Sequence, residues 1–260
     1  MNELKIYWSV FKSSLQAKME YKLDFLIGMI TSIMLQLAAL GLLWVVIHQS
    51  PLLGGWTGKE VLFLFGISAT ALGTAELLFN HIWMLPYYIV MGDLDRLLIY
   101  PTPPLPFLLI SSPVLHSFGN LLTGMVLLIY CLSHFHEPWY IWMMVPLWSF
   151  CGTIIYTSML VCICSLSFKF IGPYTYNLNF VHSLLQASRY PLSIYPNWLK
   201  YLLLFLIPFG AFNFLPGNFI FHKLFGLFGA WIAPVFAALS IWIAKQLWTW
   251  GLKNYQSTGT

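Results

Sequence analysis

Apolar residues run along this chain in long blocks, broken by short polar punctuation. Six blocks stand out, at about 25–47, 62–85, 107–132, 141–168, 199–215 and 229–249. Each is near the roughly 17–25 residues a helix needs to cross a hydrocarbon core. Alternating strands of the kind that build a membrane barrel are absent from the pattern. The pattern predicts an all-α integral membrane protein with six transmembrane helices. The chain divides into an interfacial helix over 1–24 and a six-span transmembrane domain over 25–260.

Ahead of the first block, Leu4, Trp8, Phe11, Leu15 and Met19 recur every three or four residues, accompanied by Lys5, Lys12, Lys18 and Lys22. That pattern fits an amphipathic helix lying in a membrane interface. The stretch 169–198 is aromatic and amphipathic, is closed by Pro191 and Pro196, and predicts a second interfacial helix. The stretch "LPGNFIFHKLFG" at 215–226 is too apolar for a free loop and too short to span, so it predicts a re-entrant segment before the last span. Such backbone is tolerated at membrane depth only where protein covers it.

Composition agrees with this pattern. The chain is 59% hydrophobic and 8% charged, with a mean hydropathy of +0.77. A net charge of +4 is too small to suggest a nucleic-acid partner. The first apolar block is longer than a secretory h-region of about 7–15 residues, so it is expected to be retained. Cys131, Cys151, Cys162 and Cys164 fall in or beside the predicted spans and read as small buried hydrophobes. Basic residues set the orientation. With the N-terminus cytoplasmic, Lys5, Lys12, Lys18, Lys22, Arg96, Lys169, Arg189, Lys200, Lys245 and Lys253 fall inside, against Lys59 and Lys223 outside. Both termini, the 86–106 loop and the 169–198 segment are then expected to be cytoplasmic.

The candidate chemistry is sparse. "LGGWTGKE" approaches a phosphate-binding loop at Gly58 and Lys59, but Leu53 stands where the first Gly belongs and Glu60 where the magnesium-holding hydroxyl belongs. ATP hydrolysis is therefore not expected in this chain. His134, His136 and Glu137 in "HFHEP" are too few ligands in one short loop to argue a metal site. No nucleophile-activating set is evident at workable spacing. Glu76 lies deep in the second block, where an ionised group is expensive and turns inward. On a continuous helix Ala69, Gly73, Glu76, Asn80, Trp83 and Tyr87 share one small and polar stripe. Glu76, Asn80 and Gly73 are thus candidates either for a translocation path or for helix packing.

The most unusual stretch is "MGDLDRLLIYPTPPLP" at 91–106, where Asp93, Asp95 and Arg96 cluster and Pro101, Pro103, Pro104 and Pro106 follow. The prolines stop a short charged helix before the next span. Composition leaves open whether this is a docking helix or a solvated turn.

Three stretches carry a resemblance: "GDLDRLLIYPTPPLP", "SRYPLSIYPNWLKYLLLFLIPFGAFNFLP" and "LWTWGLKNYQSTG". With the spacing of the spans, the chain resembles bacterial type-2 ATP-binding cassette exporter permeases, the six-span ABC-2 family transporter proteins. The resemblance implies a non-catalytic membrane subunit in a bacterial cytoplasmic membrane. Its partners would be two ATPase subunits holding ATP and Mg, a second permease, identical or homologous, and membrane lipids; no cofactor is implied in this chain. It also implies that Gly92, Asp93, Leu94, Asp95 and Arg96 form a coupling helix toward the ATPase. Tyr100 precedes Pro101 here, where the family often carries Arg. The competing readings are a stand-alone secondary transporter and a membrane-embedded enzyme.

Overall fold

The computed structural model describes residues 3–49, 52–135, 138–170, 174–221 and 226–256. Helix α1 (Glu3–Met19) lies beside the bundle and is pinned to it by two side chains: Tyr7 Oη donates to the Pro103 carbonyl at 3.3 Å and Lys18 Nζ to the Pro113 carbonyl at 2.6 Å. Trp8 and Met19, from the predicted apolar stripe, face away from the protein. Helix α2 (Lys22–Gln49) buries only Ser32, Gln36 and Leu43 and turns Ile27, Met34, Leu35 and Trp44 outward. Polar residues inward and apolar residues outward is the arrangement a lipid-facing helix requires.

A two-residue hairpin, β1 (Leu52–Leu53) and β2 (Trp56–Thr57), joins α2 to α3 (Gly58–Phe79). Gly54 and Gly55 both take positive φ, 58° and 85°, as a tight hairpin turn demands. Glu60 Oε2 accepts from the Thr57 backbone N–H at 2.7 Å and so caps α3. The stretch that mimics a phosphate loop is thus a turn and a helix start.

Helix α3 is the centre of the bundle. It packs on α7 (Phe118–Phe135) and α8 (Trp139–Leu166), and α8 packs on α12 (Gly226–Lys253). Short helices α4 (Leu85–Met91), α5 (Asp93–Ile99) and α6 (Pro104–Ile110) cluster at the end of the bundle opposite the hairpin. The third apolar block therefore splits: α6 ends at Ile110, the chain breaks at Pro113, and α7 begins only at Phe118. Proline supplies no N–H to carry a helix through that point.

Among the described residues five helices are long and apolar enough to cross a membrane, or six if one bent pair is counted as a span. The expected fifth span, 199–215, is not one of the five. Asn197–Leu206 and Phe209–Ile220 are bent by 80° about a break at Pro208. Contacts show the path. Ser193 Oγ donates to the Gly54 carbonyl at 2.8 Å, so residue 193 lies at the hairpin face. Asn213 lies deep in the bundle, where its Nδ2 donates to Ser68 Oγ at 2.7 Å. Beyond it, Gly217 of α11 (Phe214–Ile220) is against Trp56, back at the hairpin. Residues 197–220 form a re-entrant excursion from the hairpin face, earlier than the 215–226 expected; 222–225 lie outside the described residues.

The 169–198 segment is corrected with it. Phe168, at the far end of α8, stacks edge-on against Trp248 and Tyr255. Helix α9 (Tyr174–Ser188) starts a few residues on, and the chain reaches the hairpin by Ser193. It therefore passes from one face of the bundle to the other and is not an interfacial helix on one side. Lys200 consequently belongs to the hairpin side, and Arg189 lies between the faces.

Candidate functional site

The first candidate is the α5 element. Gly92 ends α4 with φ 73° and ψ 1°, a left-handed conformation that glycine adopts without penalty. That single residue turns the chain so that α5 starts immediately as a separate helix. Leu94 is completely buried and roots α5 in the bundle core. Arg96 points the other way, its side chain 85% exposed and loosely paired with Asp93 at 3.9 Å. Exposed pairs of this kind contribute little to stability. Ile99 and Tyr100 continue the exposed surface, with Tyr100 stacked on Phe107 at 6.1 Å. Tyr100 adopts an extended backbone, as a residue before proline must, and so closes the helix.

Asp95 does not join this exposed set. Its carboxylate faces the Tyr255 hydroxyl just past the end of α12; burial, with that carboxylate added, pushes the phenol up to about 12. The five candidate residues thus divide: Gly92 bends, Leu94 anchors, Asp95 turns toward Tyr255, and Asp93 and Arg96 are presented.

The second candidate is built on Glu76. Its Oε2 accepts from Ser117 Oγ at 2.8 Å and from Asn120 Nδ2 at 3.1 Å. Asn120 Oδ1 in turn accepts from Gln36 Nε2 at 2.8 Å, and Gln36 Oε1 accepts from Arg189 Nη1 at 3.2 Å. Every amide presents its carbonyl toward Arg189 and its NH₂ toward Glu76, so the bonds run in one direction from cation to anion. The guanidinium also lies over the Phe65 ring, 4.8 Å from its centroid, and Arg189 is only 4% exposed. Its depth is set by its neighbour: the Ser188 carbonyl accepts from Asn213 Nδ2 at 2.6 Å at the tip of the re-entrant excursion.

Gly73 and Asn80 separate from Glu76. A Cβ on Gly73 would lie 2.5 Å from the Leu121 backbone N, so Gly73 serves the close approach of α3 and α7. Helix α3 ends at Phe79 and a tighter turn covers Asn80–Met84, which takes Asn80, Trp83 and Tyr87 out of the expected stripe. Asn80 Oδ1 is buried with no hydrogen-bond partner among the described residues. Arg189 escaped sequence reasoning because Lys and Arg near a proline read as loop residues. Gln36 and Asn120 were findable, being polar residues inside predicted spans.

All four cysteines are buried free thiols. His134 bonds locally, its Nδ1 donating to the Tyr130 carbonyl at 2.8 Å; His136 and Glu137 lie outside the described residues. Among the described residues no group of three metal-binding side chains comes together.

Fold and interior together define an all-helical, multi-pass membrane protein with a buried polar network and a charged helix presented at one end. The chain belongs to the ABC-2 family transporter proteins, whose family model matches residues 33–259. It is thus a transmembrane permease of the ATP-binding cassette transporter class. No curated protein and no solved structure matches it.

Proposed function

We propose that this chain is the membrane subunit of an ATP-driven exporter, with α5 as the helix that receives movement from a separate ATPase. The supporting observation is the division of labour in α5. Arg96, Ile99 and Tyr100 are presented outward, while Leu94 roots the same helix in the bundle core and Asp95 faces Tyr255 just past the end of α12. A push on the exposed side is passed directly to spanning helices. The export direction and the need for two ATPase subunits carrying ATP and Mg follow from the resemblance of the loop and C-terminal stretches, as does a second permease, identical or homologous.

Basic residues support the α5 face as cytoplasmic, in a bacterial inner membrane. Among the described residues Lys5, Lys12, Lys18, Lys22, Arg96, Lys169, Lys245 and Lys253 lie on that side, against Lys59 and Lys200 at the hairpin. In this mechanism the ATPase favours one docking geometry of α5 in its ATP-closed state and another when open, and that difference biases the spans between two conformations.

The test is co-purification with the ATPase and substrate-stimulated hydrolysis. Arg96→Ala is expected to reduce binding or coupling by about 2–5 kcal/mol while the permease stays folded, the usual effect of removing one side of a docked charge contact. Arg96→Lys is expected to restore it in part, because the planar fork is lost. Wild-type coupling in Arg96→Ala and in Asp93→Ala would show that α5 is only a charged turn.

A further inference from the structure

Beside the Glu76–Arg189 network lies a cavity of about 350 Å³, walled by α2, α3, the start of α7, the end of α9 and Arg189. Small-molecule sites begin at roughly 300 Å³. Its polar lining includes Glu76, Gln36, Asn120, Arg189, His182 and Gln186. Leu35 also lines it and is 67% exposed, so the cavity opens on the outward apolar surface of α2, among Met34 and Ile27.

The lining is not the arrangement that best stabilises a fold. A buried arginine and a buried glutamate are held most favourably in direct contact, with their remaining donors and acceptors filled. Here two amides separate them. A guanidinium carries several N–H donors. The bond to Gln36 is the single side-chain hydrogen bond of Arg189 among the described residues, and its Nε has no partner. The cavity therefore presents a cation short of partners and, two amides away, an anion held by Ser117 and Asn120, beside an entrance on the apolar surface.

We infer that this cavity binds an amphiphile whose head group carries both an anionic and a cationic charge. Arg189 takes the phosphate or carboxylate, matching its planar fork. Glu76 takes the ammonium. Gln36 and Asn120 hold the two charges apart at head-group spacing, His182 and Gln186 line the rim, and the tails leave past Leu35 along α2. That such an amphiphile is the cargo rests on the export reading; that it binds does not.

Binding is measured on the full chain in detergent without ATP or ATPase, so failure of the coupling reading leaves the measurement intact. The probes are short-chain phosphatidylethanolamine, short-chain phosphatidylglycerol and tail-free phosphoethanolamine. Phosphatidylethanolamine is expected to bind about tenfold or more tighter than phosphatidylglycerol, the ratio of one charge-assisted hydrogen bond. Tail-free phosphoethanolamine is expected to bind more weakly than the lipid. Arg189→Gln is expected to weaken phosphatidylethanolamine by a similar factor, and Glu76→Gln to abolish the preference between the lipids. Gln186→Trp keeps both charges, fills the cavity and is expected to weaken every probe. Equal affinity for the two lipids overturns the inference. So does tail-free phosphoethanolamine binding as tightly as the lipid, or full binding by Gln186→Trp. If Arg189→Gln does not fold, Gln186→Trp and the lipid comparison decide the matter alone.

Discussion

Glu76 shows what one ionisable residue commits its surroundings to. Its carboxylate collects two direct donors, and those donors belong to a chain of amides that ends on Arg189. Leucine at this position leaves Ser117 and Asn120 without their acceptor and Arg189 without the anion that balances it. Breaking one side of a buried charge arrangement typically costs about 3–5 kcal/mol. Glutamine keeps an acceptor of the same length and loses only the charge, a loss of roughly 1–3 kcal/mol. Glu76→Leu should therefore melt well below Glu76→Gln, and Glu76→Gln below wild type, when thermal unfolding is followed in detergent. Indistinguishable midpoints in all three would mean the network carries no stability.

Among the elements, α9 and the re-entrant excursion carry the clearest consequence. A chain that reaches Gly54 by Ser193 has crossed the bundle, and 197–206 then begins at the hairpin face. A cysteine at the exposed position Asn197 should be labelled by an impermeant thiol reagent from the hairpin side and not from the α5 side. Labelling from the same side as Ile99→Cys would return α9 to an interfacial role. The native thiols are buried, so the background should be low. Sequence patterning missed this because α9 is 15 residues long and carries His182, Gln186 and Asn179, too short and too polar to read as a span. Part of that polarity is satisfied within the helix, where Gln186 Nε2 lies 3.1 Å from His182 Nε2, a pairing hydropathy does not register. The excursion, in contrast, is apolar enough to imitate a span, and only the bend at Pro208 distinguishes the two.

At the scale of the whole molecule, orientation is the property on which every functional statement depends. The basic residues remain concentrated on the α5 face after Arg189 and Lys200 are reassigned, because the α1 lysines and those ending α12 dominate the balance. In intact cells Trp139→Cys, at the hairpin end of α8, should label from outside, and Ile99→Cys only after the membrane is opened. The reverse result would place α5 outside and remove any route to a cytoplasmic ATPase.

The chain's own letters determined the class of protein, the approximate course of five membrane-crossing helices and the charged α5 element, while the split of the third block at Pro113 came from the structure. The first three are legible because hydrophobic runs and prolines act locally, through backbone geometry and transfer into lipid. Tertiary structure alone decided that Asp95 turns to Tyr255 while Arg96 stays exposed, that Gly73 is a helix contact, and that Arg189 is buried within reach of Gln36. A side chain's partner depends on which helices the fold brings alongside, and residues 36, 76, 120 and 189 belong to four separate parts of the chain. Burying one charge is prohibitive until another arrives to balance it, so Arg189 could be placed only once the packing had put Gln36, Asn120 and Glu76 beside it.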